Sequence, residues 1–373
     1  MTWLAVPAGV GAAYYALALV AGLKAGMGEG CAALPDSLTA IPYPGLSILK
    51  PVHGRDPRFY EALRSHAVQD YPQFEILFGV TDPGDPAIED IERLKREFPT
   101  LAVSLHVVST GAANVKAGVL AELARRARHP VLVVNDSDIH VPAGYLRAIA
   151  APLADQRVGL VTCLYRAAAE SAATRWEALG IATEFAPSVL VARLLGVGEF
   201  ALGSTMALRA ETLGEIGGFE AIQNYLADDY QLGNHVSRRG YRIEFAPVVV
   251  ETNLGAGSWR DVWRHQVRWA RTIRVSRPSG YFGYVVTHAT LWALVAFAGG
   301  AWAWGAAALG LRMAAGVWIG ATVLGERNAA RRCWLIPFRD LLGFAVWAAG
   351  LFGSTVEWRG KRLRLRRDGR IVG

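Results

Sequence analysis

The chain has 373 residues, of which 52% are hydrophobic and only 19% charged, with a mean hydropathy of +0.23. A soluble protein carries nearer a quarter charged residues, so a wholly soluble chain is excluded and the apolar excess is assigned to lipid. The formal net charge of +7 gathers beside apolar segments, at Arg359, Lys361, Arg362, Arg364 and Arg366, which points to anionic lipid or positive-inside bias and away from nucleic acid.

Residues 2–23 hold no charge. At ~1.5 Å per residue they make a helix of roughly 33 Å, enough to cross the hydrocarbon core. A signal peptide wants a basic start, and Met1-Thr2-Trp3 has none. The first cation, Lys24, follows the segment. Residues 1–25 therefore read as a transmembrane helix with its N-terminus outside and the next domain in the cytosol. Residues 26–44, rich in Gly, Pro and small polar side chains, read as a linker.

Strand-like and helix-like runs then alternate. Leu46–Val52, Phe74–Val80, Leu101–Val108 and Val131–Asn135 are predicted strands. Phe59–Ala67, Ile88–Phe98 and Val115–Ala127 are predicted helices. This alternation predicts an α/β fold with a mainly parallel sheet flanked by helices, over a domain of residues 45–280. Ligands in such sheets sit beyond the carboxyl ends of the strands, where Asp82 and Asp136 fall. No G-x-G-x-x-G or P-loop is present, so a nucleotide is not held by a glycine cradle. Within 172–202, the run Phe185–Leu195 is too short to span and reads equally as core or as an interfacial segment.

Residues 281–325 hold one formal charge, Arg312, and suit two transmembrane helices turning near Gly299-Gly300. Arg312 is expected to snorkel to the interface. Residues 335–357 form a third membrane segment, spanning or re-entrant. Charge bias favours the re-entrant form, with Arg339 paired to Asp340. Residues 358–373 are a basic tail. Cys31, Cys163 and Cys333 have no metal spacing and read as free thiols, so structural zinc is not expected.

Four clusters carry chemistry. Asp136-Ser137-Asp138 follows a buried strand, so its carboxylates offer hard oxygens for Mg²⁺ or Mn²⁺ bridging to a diphosphate. A loop of helix-capping aspartates would look the same. Asp82, in Asp82-Pro83-Gly84-Asp85-Pro86, is a nucleoside contact on the functional reading. On composition it is better read as a turn residue. Asp228-Asp229 opens a helical run to Arg238. One acid suits an N-cap and the other a general base. Trp259–Ser276 is an amphipathic interface helix with Trp259, Trp263, Gln266 and Ala270 on one stripe and Arg264, Arg268, Arg271 and Arg274 on another, suited to phosphate and a membrane surface. Lys50 and Lys116, near strand ends, are further candidates for the donor phosphate or base. His53, His140 and His265 read as polar packing.

These residues resemble the ceramide glucosyltransferase-like branch of membrane glycosyltransferases. The matches run through Lys50-Pro51, Asp56-Pro57, Asp70-Tyr71-Pro72, Asp82, Asp85–Ile88, Asp136-Ser137, Gly159–Val161, Asp229-Tyr230, Gln266–Trp269 and the Trp358-Arg359-Gly360 tail with Arg362–Arg364. The resemblance implies a GT-A nucleotide-sugar domain with transmembrane helices at both ends. It implies Asp82 at the nucleoside, and Asp136 at ribose and metal with Asp138 as a further ligand. Asp229 would be the catalytic base, and Gln266, Arg268 and Trp269 would stand at the diphosphate and acceptor side. It also implies inversion by a single displacement. A narrower likeness, through Val161–Arg166, Leu226–Asp229 and Arg268–Thr272, is to bacterial hopanoid-associated members. That implies a multi-pass protein of the bacterial cytoplasmic membrane, moving N-acetylglucosamine from UDP-N-acetylglucosamine onto bacteriohopanetetrol. Ala186, before Pro187, departs from the histidine of the eukaryotic ceramide enzymes.

The expected partners are a UDP-sugar, a membrane lipid acceptor and the bilayer. The alternatives are a ceramide or other lipid glucosyltransferase using UDP-glucose, or a non-catalytic lipid-binding membrane protein. A processive polysaccharide synthase would need more spans.

Overall fold

The computed structural model describes residues 3–28 and 43–372. Cys31, and residues 29–42 of the expected linker, lie outside the described residues. In chain order the elements begin with α1 (Ala5–Gly28), β1 (Leu46–Pro51), α2 (Phe59–Ala67), β2 (Phe74–Val80), α3 (Ala87–Glu97), β3 (Ala102–Val107), α4 (Val115–Arg126) and β4 (Val131–Val134). Then come α5 (Tyr145–Ala150), β5 (Val158–Ala168), α6 (Ala172–Gly180), a π-turn (Ile181–Phe185), α7 (Ala186–Leu194), β6 (Met206–Arg209), α8 (Ala210–Glu215), α9 (Asp228–Arg238) and β7 (Arg242–Asn253). The last group is α10 (Trp259–Ser276), α11 (Pro278–Gly283), a 3-10 turn (Tyr284–Thr287), α12 (Ala289–Ala298), α13 (Trp302–Trp318), α14 (Asn328–Arg331), α15 (Ile336–Gly350), β8 (Thr355–Trp358), β9 (Lys361–Leu365) and β10 (Ile371–Val372). Two compact units result. Among the described residues, a sheet unit comprises 43–165 and Gly198–Gly255, and a helical unit comprises 3–28, Arg166–Val197 and Ala256–Val372.

The sheet unit is a seven-stranded sheet in the order β3-β2-β1-β4-β6-β5-β7. β3, β2, β1 and β4 pair in parallel, while β6 runs antiparallel to both β4 and β5. β1 and β4 are buried at every position, as parallel strands covered on both faces must be. Leu46, Ile48, Phe78, Val131 and Val133 face one core, and Leu49, Leu77, Leu132 and Val134 face the other. The alternation places successive side chains on opposite faces. α4 is started by Asn114, whose side chain accepts from Ala117 N, one of the orphan donors of a helix N-terminus.

In the helical unit α1 packs against α13, α12 and α7. Ala8, Ala12, Ala293, Ala296 and Ala308 form the core shared by α1, α12 and α13, since small residues let apolar helices approach closely. Among the described residues two helices are long and apolar enough to cross a membrane, Ala5–Gly26 and Trp302–Val323. A third candidate is the pair Pro278–Thr287 and Ala289–Ala298, bent by 50°. The run Phe185–Leu195 falls mostly on α7, whose Val189, Leu190 and Val191 are buried.

The charges of these segments differ from expectation. Arg312 does not snorkel; its side chain is fully buried. Its Nη2 and Nε donate to Asp340, its Nη1 donates to Thr183 O at 2.8 Å, and Tyr15 lies under its guanidinium. Arg339 is not paired to Asp340 either, because neighbours in sequence point to different faces of α15. Asp340 turns to Arg312, and Arg339 turns to Glu184 and Gln266. An ion pair inside the apolar helices satisfies both charges where water is absent.

Candidate active site

The parallel strands end on one edge, and the acidic loops leave from it. Asp136 lies two residues past β4. Its Oδ1 accepts from Lys116 Nζ at 2.7 Å, and its backbone O accepts from Lys50 Nζ at 3.2 Å. Lys116 also lies 3.0 Å from Asp228 Oδ2. A Cβ built on Gly203 would sit 3.3 Å from both Asp136 Oδ2 and Asp229 Oδ2, so Gly203 marks the point where those carboxylates converge. Asp229 Oδ2 accepts from Gly203 N at 3.1 Å, and its Oδ1 from Tyr230 N at 2.7 Å. Gly233 on α9 makes this possible. A Cβ there would come within 2.6 Å of Ala201 N and 2.7 Å of Phe200 C, so only glycine lets the 200–203 loop lie against the helix.

Electrostatics separate the roles. Burial, then the neighbouring Asp228 charge, pushes the Asp229 carboxyl up to about 6. Burial and the Asp136 charge push Asp138 up to about 6 as well. Burial lowers the Lys50 ammonium to about 7, against the attraction of Asp138, Asp136 and Asp56. Burial also opposes charge on Lys116, yet Asp136 and Asp228 outweigh it and hold that ammonium well above its usual value. One of two similar lysines is thus locked as a cation and the other is not.

Asp138 accepts from the Thr252 hydroxyl and, at 3.4 Å, from Asn253 N. Ser137 Oγ donates to Asp56. Among the described residues no group of three His, Cys, Asp or Glu side chains is close enough to cage a metal. The residues present fit a different mode. Asp136 and Asp138 offer hard oxygens from one loop, and a divalent cation of the Mg²⁺ type is commonly held by one or two carboxylates with substrate phosphates completing the shell.

Asp82 is exposed, and its Oδ1 accepts from Gly84 N at 2.8 Å. The buried residue of that turn is Asp85, which binds Gly54 N and Ala87 N; its Asp-Pro sequence gave no sign of that burial. The helix at Asp228 has Ala227, without a side-chain bond, as its N-cap. Neither aspartate caps it, and both instead occupy its first turn, where the helix dipole favours negative charge. Lys50, Lys116, Asp136, Asp138 and Asp229 are therefore brought together, with Gly203, Gly233 and Thr252 as supports that the sequence did not signal.

Gln266, Arg268 and Trp269 share α10 in the helical unit, opened by a capping box of Ser258 and Asp261. Gln266 Nε2 donates to Glu177 at 3.3 Å, and its Oε1 accepts from Arg339 at 2.7 Å. Trp269 packs edge-on to His265, which itself pairs with Glu177 at 2.6 Å. Arg264, Arg268 and Arg271 line a basic pocket against β8 and β9. Cys163 and Cys333 are free thiols.

The sequence pattern of Glycosyl transferase family 21 matches residues 3–371. Ceramide glucosyltransferase 3 of Caenorhabditis elegans is 28% identical over 234 residues, covering 61% of this chain and 50% of the relative. Ceramide glucosyltransferase 1 of the same organism is 30% identical over 200 residues, covering 53% of this chain and 43% of the relative. The chain thus spans about half the length of these curated relatives or less. Among solved structures, a mannosyltransferase from Pyrobaculum calidifontis in complex with GDP-Man and Mn²⁺ superposes with a TM-score of 0.54 at 20% identity, covering 93% of this chain and 97% of that one. The fold is GT-A-like, with a mostly parallel sheet flanked by helices, and the chain belongs to glycosyl transferase family 21.

Proposed function

We propose that the protein transfers a sugar from a nucleotide diphosphate donor to a hydroxyl group of a membrane lipid, with inversion at the sugar carbon. The observation that carries this reading is the convergence of Asp136 and Asp229 on Gly203, with Lys116 between Asp136 and Asp228. Asp229 takes the proton of the acceptor hydroxyl as its oxygen bonds to the sugar carbon. The bond to the diphosphate breaks, and the nucleoside diphosphate leaves with the electron pair. A carboxylate raised to about 6 suits this work, being ionised at neutral pH yet more basic than an ordinary aspartate. Lys116 holds the carboxylates in place and offsets their mutual repulsion. Asp82 is assigned to the nucleoside, and Lys50 and Asp136 to the donor side. Gln266, Arg268 and Trp269 are assigned to the diphosphate and acceptor side. A divalent cation, Mg²⁺ or Mn²⁺, at Asp136 and Asp138 would neutralise charge on the departing diphosphate.

For the narrower reaction, UDP-N-acetylglucosamine and a hopanoid tetraol are the first reading, supported by the Val161–Arg166 and Leu226–Asp229 likeness and by Ala186. Ceramide with UDP-glucose is the second, favoured by the names of the Caenorhabditis elegans relatives. The proposed location is the bacterial cytoplasmic membrane with the sheet unit in the cytosol. UDP release by purified protein, with hopanoid polyols, ceramide and a polyprenyl phosphate offered in turn, with and without EDTA, tests the proposal. Release with a hydroxylated lipid that is lost on chelation and restored by Mg²⁺ or Mn²⁺ is expected. No release with any lipid would defeat it.

A further inference from the structure

The helical unit contains a cavity that Gln266 and Trp269 share with residues to which no role has been assigned, Glu184, Tyr284 and Arg339 among them. It lies between the end of α6, the π-turn, α10, α11 and its 3-10 extension, and α15, is open at its mouth and encloses about 130 Å³. Most of its wall is apolar or aromatic, with Phe185, Trp269, Tyr281 and Trp347 on it. Glu184, Gln266, Arg339 and Tyr284 form a polar patch in that wall. A mostly apolar concavity with a few convergent polar groups is the usual form of a small-molecule site, and one this small takes a head group and not a whole lipid.

The polar patch is built, not incidental. Arg339 and Glu184 have side chains only 5% and 11% exposed, and Arg339 Nη1 lies 3.3 Å from Glu184 Oε2. Arg339 Nη2 donates to Gln266 Oε1 at 2.7 Å, and the Tyr284 hydroxyl donates to Glu184 Oε1 at 3.1 Å. Yet Arg339 Nε and Nη1 and Glu184 Oε2 have no well-formed hydrogen bond among the described residues. Buried polar atoms in that state mark a place for a missing partner. Glycine at 343 leaves room for the pair, since a Cβ there would sit 3.0 Å from Glu184 Oε1 and 3.2 Å from Arg339 Nη1. Glu184 and Phe185 lie in the π-turn, a local widening of the helix that recurs at functional sites.

We propose that this cavity binds the head of an uncharged, hydroxylated lipid, with the lipid body along the aromatic wall. The proposal rests on the lipid-acceptor reading and narrows it to a chemical class. The unmet groups are two donors of one guanidinium, Arg339 Nε and Nη1, and one acceptor, Glu184 Oε2, side by side. A hydroxyl accepts from Arg339 and donates to Glu184 in the same position. A phosphate monoester or diester with no free proton cannot donate, and it meets the Glu184 carboxylate as a like charge. Because Glu184 cancels Arg339, the patch has no net attraction for an anion, unlike the arginine-rich pocket on the opposite stripe of α10.

The test is photo-crosslinking of the full-length protein in detergent with a long-chain 1,2-diol carrying a diazirine in its alkyl chain. Adducts are expected within residues 266–284 and 343–347. They should be removed by excess unlabelled diol and not by the phosphate monoester of the same chain. Ile273, which lines the cavity and is 49% exposed, tolerates a larger side chain. Ile273→Trp should reduce labelling about tenfold, as for loss of a well-filled apolar contact. Glu184→Gln should invert the competition, making the monoester the better competitor, because Arg339 is then uncompensated. Thermal melting and UDP binding check that both variants fold. Adducts spread outside the cavity, equal competition by the monoester in the parent protein, or undiminished labelling of Ile273→Trp would each overturn the proposal. If labelling fails while UDP release on hydroxylated lipids persists, the cavity assignment falls and the transferase reading stands. Specific labelling without UDP release supports the cavity and removes the transferase reading.

Discussion

Asp229→Asn removes the proposed base while keeping the side chain's size. A positioned general base contributes roughly 10²–10⁴-fold, or about 3–5 kcal/mol of barrier, so kcat should fall by that factor. UDP binding by calorimetry should stay near the parent value. The structure also sets the pH profile. With Asp229 raised to about 6, about nine-tenths of it is ionised at pH 7 and about one-tenth at pH 5, so kcat/KM should fall about tenfold between them. The sign follows from the role: the base works when ionised, so activity is lost as pH drops through that value. Lys116 pulls the other way on Asp229, so Lys116→Met should move the acid limb to higher pH as well as weakening donor binding. UDP release measured from pH 5 to 8 over a range of lipid concentrations up to saturation gives both quantities. If Asp229→Asn kept more than a tenth of parental kcat, or showed the parent's acid limb, Asp229 would not be the base.

Three other substitutions probe the scaffold. Lys50 is fully buried with its ammonium lowered to about 7, so between pH 7 and about 10 the unfolded chain binds the extra proton and stability rises with pH. Lys50→Met should flatten that rise in thermal unfolding from pH 7 to 9. Gly233→Ala places a Cβ against the backbone of Phe200 and Ala201. Overpacking costs about 1–3 kcal/mol, offset by up to about 1 kcal/mol of helix propensity, and activity should fall with stability as Gly203 moves from Asp229. Arg312→Met strands Asp340 in the apolar helices and should cost about 3–5 kcal/mol, while the double variant with Asp340→Leu should recover most of it; thermal unfolding in detergent, run as a double-mutant cycle, checks this.

How far these features were legible depends on whether the signal was local. The sheet could be read because parallel strands buried on both faces are near-continuous apolar runs, and Leu46–Pro51, Phe74–Val80 and Val131–Val134 are that but for Ser47, Lys50 and Glu75. Asp136 was legible for the same reason, as the first acid after such a run. α10 was legible from its two stripes. Lys50 and Lys116 carried little signal as isolated lysines, and acquire meaning only because the sheet edge brings both to Asp136. Gly203 and Gly233 were invisible, since what each requires is space against a segment far away in sequence or contact across it.

The buried charges make the same argument from the other side. Position in an apolar run suggested that Arg312 reaches for the interface and that Arg339 takes its neighbour Asp340. Both inferences used only sequence distance. In the folded helices Asp340 lies across from Arg312, and Thr290 Oγ1 donates to it at 2.6 Å. That leaves Arg339 facing Glu184, a partner 155 positions earlier. Pairing inside an apolar bundle is decided by which helix faces meet. If the Arg312 double variant recovers stability, the Arg312–Asp340 pair contributes specificity of packing more than net energy. Arg339 and Glu184, half-satisfied beside a cavity, are then the charges held for a ligand.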